Sequence, residues 1–209
     1  MDRFEVKLER PLFYNNTYGL RFEVGPKNLD IWADEGNTAL NEEYFNVALI
    51  RASEIFNAAF ASTDDISISY QIPSDGRKKI KKRNFIFKQI SNLKSRVVEY
   101  SEHKDIYPEN IDYKRECWRR VTVSGIKTSD VNVKAIFHSL INIDFPPRVP
   151  RISGECYLIN LTKGLVLNLY DDRGMDVISI KKEPLLKLYQ SHNEMLLDYD
   201  RDRIDEVFS

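Results

Sequence analysis

The chain has 209 residues, 42% of them hydrophobic and 30% charged, with a formal net charge of −1. This is the balance of a folded globular protein, which excludes an intrinsically disordered chain. Near-neutrality also excludes a global field drawing the protein to nucleic acid or an anionic membrane. The length fits one large domain or two small ones and allows a substantial core. The two cysteines, Cys117 and Cys156, lack metal-binding spacing and each is followed by an aromatic residue, so both are expected to be reduced interior thiols. Met1-Asp2-Arg3-Phe4-Glu5 lacks the apolar core of a secretory leader, and no apolar run nears the roughly 20 residues that cross a bilayer. A cytoplasmic location with no membrane partner is expected.

In chain order, residues 11–14 and 20–24 are expected as short strands, the second because Leu20-Arg21-Phe22-Glu23-Val24 alternates apolar and charged. The spacing predicts a helix over 42–61. Asn41 is its cap, Glu42 and Glu43 lie in its first turn, and Phe45, Ala48, Leu49, Ala52, Ile55, Phe56, Ala59 and Phe60 form one apolar stripe. Ile66 to Tyr70 alternates as a strand. Pro73-Ser74-Asp75-Gly76 breaks it before a basic run over 77–83, six cations in seven residues. Ile86, Ile90, Leu93 and Val97 predict a second helix, and 101–116 an exposed connection. Trp118 to Val123 is a strand closed by Gly125, and Ser129-Asp130 opens a third helix through Val133, Ile136, Phe137, Leu140 and Ile141.

Three prolines make 145–150 a stiff extended connector and a possible sub-boundary. Beyond it, 156–161, 165–170 and 175–180 form a meander with turns containing Gly164 and Gly174, where a positive φ is expected at the glycine. Its first two strands are apolar on both faces, so the sheet should be covered on both sides. Helices near 183–191 and from about 201 finish the chain. The pattern predicts an α+β fold: a single domain over 1–209, mainly antiparallel, its C-terminal three-strand meander packed by about three amphipathic helices. The roughly 60 residues after the connector are too few for a large core of their own.

The candidate site is two acidic clusters with arginine beside each: Asp171, Asp172, Arg173, Gly174 and Asp176, then Asp198, Asp200 and Arg201. Convergent carboxylates are what a divalent cation needs. Asp198-x-Asp200-x-Asp202 is no calcium loop, because Arg203 and Ser209 hold the positions that require glycine and glutamate. Alternatively, Arg173 forms a forked pair with Asp198 or Asp200, clipping the turn to the C-terminal segment. The same residues can also serve as a binding surface. The basic run lacks interleaved aromatics, which argues against nucleic acid as a partner and for a solvated loop. His103, His138 and His192 stand apart, with no zinc spacing or triad pattern, and no glycine-rich phosphate loop occurs.

The segments Tyr-Gly-Leu-Arg-Phe-Glu-Val-Gly (18–25), Arg51-Ala52 through Phe56, Asp144-Phe145-Pro146, Tyr-Asp-Asp-Arg-Gly-Met-Asp (170–176) and Leu-Asp-Tyr-Asp-Arg (197–201) together resemble a bacterial family. It is catalogued as a domain of unknown function, number three-eight-eight-five. Asn193-Glu194-Met195 departs from it where an aromatic is expected. The resemblance implies a fold and an intracellular bacterial setting, and no catalytic residues, metal or cofactor. The expected function is therefore a non-catalytic protein-interaction module, its partner another protein. An immunity-like role, neutralising a toxin by binding it, is the narrower form. The alternative is a divalent-metal-dependent hydrolase built on the aspartates.

Overall fold

In the computed structural model, residues 6–8, 11–74, 77, 79–81, 84–104 and 117–209 are described. Among these residues one seven-stranded antiparallel sheet is the organising element: β1 (Tyr18–Glu23), β2 (Asp65–Pro73), β3 (Val97–Lys104), β4 (Cys117–Lys127), β5 (Glu155–Asn160), β6 (Leu165–Leu169) and β7 (Gly174–Ser179). Their spatial order is β1-β7-β6-β5-β2-β4-β3. The meander β5-β6-β7 lies inside the sheet, flanked by β2 and β1 from the N-terminal half. This central position is why most meander side chains are buried, apolar ones on both faces among them.

Among the described residues, five helices accompany the sheet: α1 (Glu42–Ala59), the single turn α2 (Phe85–Lys88), α3 (Val133–Ile141), α4 (Glu183–Ser191) and α5 (Arg201–Phe208). The fold is therefore α+β. Asn41 caps α1 by accepting from the Glu43 amide, and Asn132 caps α3 through the Ala135 amide. The apolar stripe of α1 is buried, as is that of α3, and the two helices meet at Phe56 and Phe137, 5.7 Å apart and edge to face. Together they cover one face of the sheet, over Leu167, Leu158, Ile68 and Val121. Helices α4 and α5 extend that core at the β1 end through Leu185, Leu188, Ile204 and Phe208. The opposite face carries a smaller cluster in which Leu8 and Leu12 lie over Tyr157, Val166 and Ile178.

That second face also carries a polar row. The strand registers place Arg21, Asp176, Asn168, Tyr157, Ser69, Thr122 and Glu99 side by side across all seven strands. At its β1 end this row builds part of the candidate site.

Several elements differ from the sequence expectation. Residues 11–14 form a turn, not a strand, and their apolar side chains go inward: Leu12 and Phe13 are buried. The second helix is one turn long. Asn92, at φ +53, ends any helical path, and Leu93 and Val97 belong to a 3₁₀ turn and to β3. Gly125 does not close β4. At φ +73 it sits where the β2–β4 register shifts, in a bulge that the strand passes through. Phe145–Pro150 bends instead of extending, with the Arg148 amide donating to the Phe145 carbonyl at 2.9 Å. Residues 105–116 of the expected connection, and Lys78, Lys82 and Arg83 of the basic run, lie outside the described residues.

Candidate functional site

The tight connection from β6 to β7 is built by one carboxylate. Asp171 Oδ1 accepts from the backbone amides of Arg173 (2.8 Å) and Gly174 (3.2 Å), the short-range bonding that suits Asp to turns. Its other oxygen accepts from the Arg173 guanidinium through Nε (3.0 Å) and Nη2. Arg173 therefore pairs within its own turn instead of reaching Asp198 or Asp200. A fork two residues away closes without ordering a long side chain, which favours it over a distant partner. Gly174 does not have the expected positive φ. It is glycine for want of space: a Cβ there would fall 1.9 Å from the Tyr170 hydroxyl.

Asp172 points toward α1, where the Tyr44 hydroxyl donates to its Oδ2 at 2.8 Å. Burial raises this carboxyl above the usual aspartate range, and Tyr44 opposes the rise. Burial, then the Asp172 bond, also pushes the Tyr44 phenol up. Asp144, Asp171 and Asp172 each offer a carboxylate oxygen, all within 4.8 Å of one another. The Arg173 guanidinium sits among them, bonded to Asp171 and 4.0 Å from Asp144. A fixed cation thus already faces this trio.

Asp176 and Asp200 gather elsewhere, on the second face of the sheet, around Arg21. Arg21 Nη1 bonds Asp200 Oδ2 at 3.2 Å, its Nε lies 3.5 Å from Asp176 Oδ1, and its guanidinium stands over the rings of Tyr14 (5.3 Å) and Tyr170 (5.7 Å). The Phe13 amide donates to Asp176 at 3.1 Å and the Tyr14 hydroxyl to Asp200 at 2.5 Å. Burial alone would lower the Arg21 pKa, but the Tyr170 bond and the two carboxylates raise it. A buried charge cluster of this kind is tolerated only with such dense partnering.

Asp198 stays on the surface, where its pairing with Lys27 lowers its pKa. Arg201 bonds Asn193 through both its side-chain and backbone oxygens, at 2.7 Å each. The sequence-selected residues thus divide into three places: Asp171, Asp172, Arg173 and Gly174 at the β6–β7 turn; Asp176 and Asp200 at Arg21; Asp198 and Arg201 near the C-terminal helix. Arg21, Tyr14, Tyr44 and Lys27, which complete these pairings, were not singled out from sequence. The alternation around Arg21 set it on the face of its strand opposite Leu20 and Phe22, and gave no sign of its partners.

Of the cysteines, Cys156 is a buried free thiol whose pKa burial pushes up to about 12. It is a packing group and not a nucleophile. The Cys117 side chain lies outside the described residues.

Of two openings among the described residues, one is lined by Asp144 of the carboxylate trio and the other lies away from the aspartates. A cleft of about 680 Å³ runs between Trp32, Leu40, His138 and Phe145. A larger groove, about 1200 Å³, opens at the β3 end of the sheet. Ile80 and Phe87 are buried in its floor, and Leu93, Val98 and Tyr100 pack half-buried beside them. The basic run is therefore not wholly solvated: Ile80 anchors it, and Lys79 lies 5.8 Å above the Tyr100 ring.

An α+β domain with one antiparallel sheet, internally paired aspartates and an open apolar groove defines the class. A description of a family, the domain of unknown function DUF3885, matches residues 2–200, and the chain belongs to that family. The chain is also 24% identical over 206 residues to the uncharacterised protein YnaE of Bacillus subtilis (strain 168), covering 95% of each. No solved structure matches. No helix among the described residues is long and apolar enough to cross a membrane.

Proposed function

We propose that this protein acts by binding another protein rather than by catalysis, in a bacterial cytoplasm. The observation that supports this reading most is the distribution of chemistry. The buried carboxylates of the acidic clusters are held by Arg21, Arg173, Tyr14 and Tyr44, whereas the broad apolar groove beside β3 opens to solvent. Exposed apolar concavities rimmed by polar groups are characteristic of interaction sites. An immunity-like role, in which the partner is a toxin neutralised on contact, suits a small domain with these properties.

One observation favours a metal-dependent hydrolase instead: the Asp144, Asp171 and Asp172 oxygens that lie close together. A divalent ion there would have to displace Arg173 from Asp171. Calorimetric titration with magnesium, manganese and calcium separates the two readings. No binding is expected. Tight binding that disappears in Asp172→Asn would replace the interaction reading with the hydrolase. Affinity capture from the source cell, read by mass spectrometry, is expected to recover a stoichiometric protein partner, and failure under several growth conditions would count against the proposal.

A further inference from the structure

Resting on that reading, we propose that the groove at the β3 end receives an acidic polypeptide segment of the partner, its apolar side chains on the floor and its carboxylates on the rim. The rim carries Lys79, Lys81, Lys94 and Arg96, and no acidic residue lines the groove among the described residues. Arg96 is occupied by Asp130 (2.9 Å) and the Gly125 carbonyl (2.6 Å), so it belongs to the frame. Lys81 and Lys94 are exposed and pair with no carboxylate of the described chain, which leaves two ammonium groups for an incoming anion. In a protein of net charge −1 this is a local concentration of positive charge, and charge arranged in this way selects and orients an acidic partner.

The floor specifies the rest. Ile80, Phe87, Leu93 and Val98 offer aliphatic and aromatic surface for several side chains, and about 1200 Å³ exceeds the roughly 300–1,000 Å³ usual for a single small ligand. A nucleic acid would satisfy the lysines but find only the Tyr100 ring half-exposed in the floor, without the stacking platform that single strands use. An acidic segment with regularly spaced apolar residues satisfies rim and floor together.

The test uses the whole protein and fluorescence anisotropy with labelled peptides of about twelve residues, long enough at about 3.3 Å per residue to cross the groove. One peptide alternates Glu with Leu and Phe, a second replaces Glu by Lys, and a third keeps Glu but replaces the apolar residues by Ser. Only the first is expected to bind, more weakly at high salt, and roughly tenfold more weakly to the double variant Lys81→Glu/Lys94→Glu. Equal binding of the lysine peptide, or no effect of the double variant, would overturn the acidic-partner inference and leave the interaction reading standing. Binding of laurate or oligo-dT at the groove, with none of the peptides binding, would overturn both.

Discussion

Gly174 shows how one residue ties two parts of the site together. The Tyr170 ring crosses directly over it, with the hydroxyl 1.9 Å and Cζ 2.4 Å from where a Cβ would lie. The same ring supports the Arg21 guanidinium at 5.7 Å. A methyl group at 174 therefore displaces Tyr170 and loosens the cluster of Arg21, Asp176 and Asp200 behind it. Gly174→Ala is expected to cost about 1–3 kcal/mol, the usual penalty for overpacking a tight contact. If the clash with Tyr170 is the cause, the cost falls sharply in a Tyr170→Ala background. Denaturant unfolding of the four chains in that cycle measures the coupling. Additive costs would show that Tyr170 is not what Gly174 accommodates. The residue type was legible in the sequence as a turn glycine. Its reason was not, because the neighbour it makes room for is fixed by side-chain packing and not by the turn's backbone.

At the scale of elements, legibility followed periodicity. The stripe of α1 was readable because it repeats one spacing along an uninterrupted segment, and the strands of the meander because their apolar runs are bounded by short turns containing glycine. The second helix misled because Ile86, Ile90, Leu93 and Val97 keep helical spacing while Ile86 lies in α2, Ile90 in an isolated bridge to Val131, Leu93 in a 3₁₀ turn and Val97 in β3, the last two beyond Asn92 in a left-handed conformation. The acidic clusters were legible as sites of charge, but their partners were not: Arg21 lies 179 residues from Asp200 and Tyr44 lies 128 from Asp172. Contacts of such separation leave no local trace. Asp64 fastens α1 to the β5–β6 hairpin through contacts that are likewise distant in the chain. It accepts from the Ala61 amide (2.8 Å) and Asn160 (2.7 Å) and pairs with Lys163 (3.2 Å), which in turn donates to the Ala59 carbonyl at the end of α1. Burial alone would raise this carboxyl, but the three donors outweigh it and hold it below its ordinary value. The unfolded chain then binds the proton more readily than the folded one. The contribution of Asp64 to stability is full above the ordinary aspartate pKa of about 3.9 and fades as pH falls through the lower folded value. Asp64→Asn is expected to cost about 1–3 kcal/mol at neutral pH, and its deficit should shrink in acid. Unfolding of both chains across the acid range checks this, and a deficit independent of pH would show that charge plays no part.

For the whole molecule, the decisive feature is that the meander has no free edge of its own. β5 pairs with β2 and β7 pairs with β1, so both outer strands of the C-terminal segment complete their hydrogen bonding in the N-terminal half. Its faces are also covered from there, by α1 and α3 on one side and Leu8 and Leu12 on the other. The proline-rich bend at 145–150 therefore interrupts the chain without dividing the sheet. Removed from residues 1–150, the meander would expose two unpaired edges and two apolar faces, a state that exposed strands resolve by aggregation. Residues 151–209 expressed alone are expected to show no cooperative unfolding transition. In the intact chain, amide hydrogens of β2 and β5 should exchange at the same limiting opening free energy, because neither strand can leave without the other. A cooperatively folding fragment, or two separate unfolding transitions in the intact protein, would mean that the bend is a true boundary and that the continuous sheet is a docked pair of units.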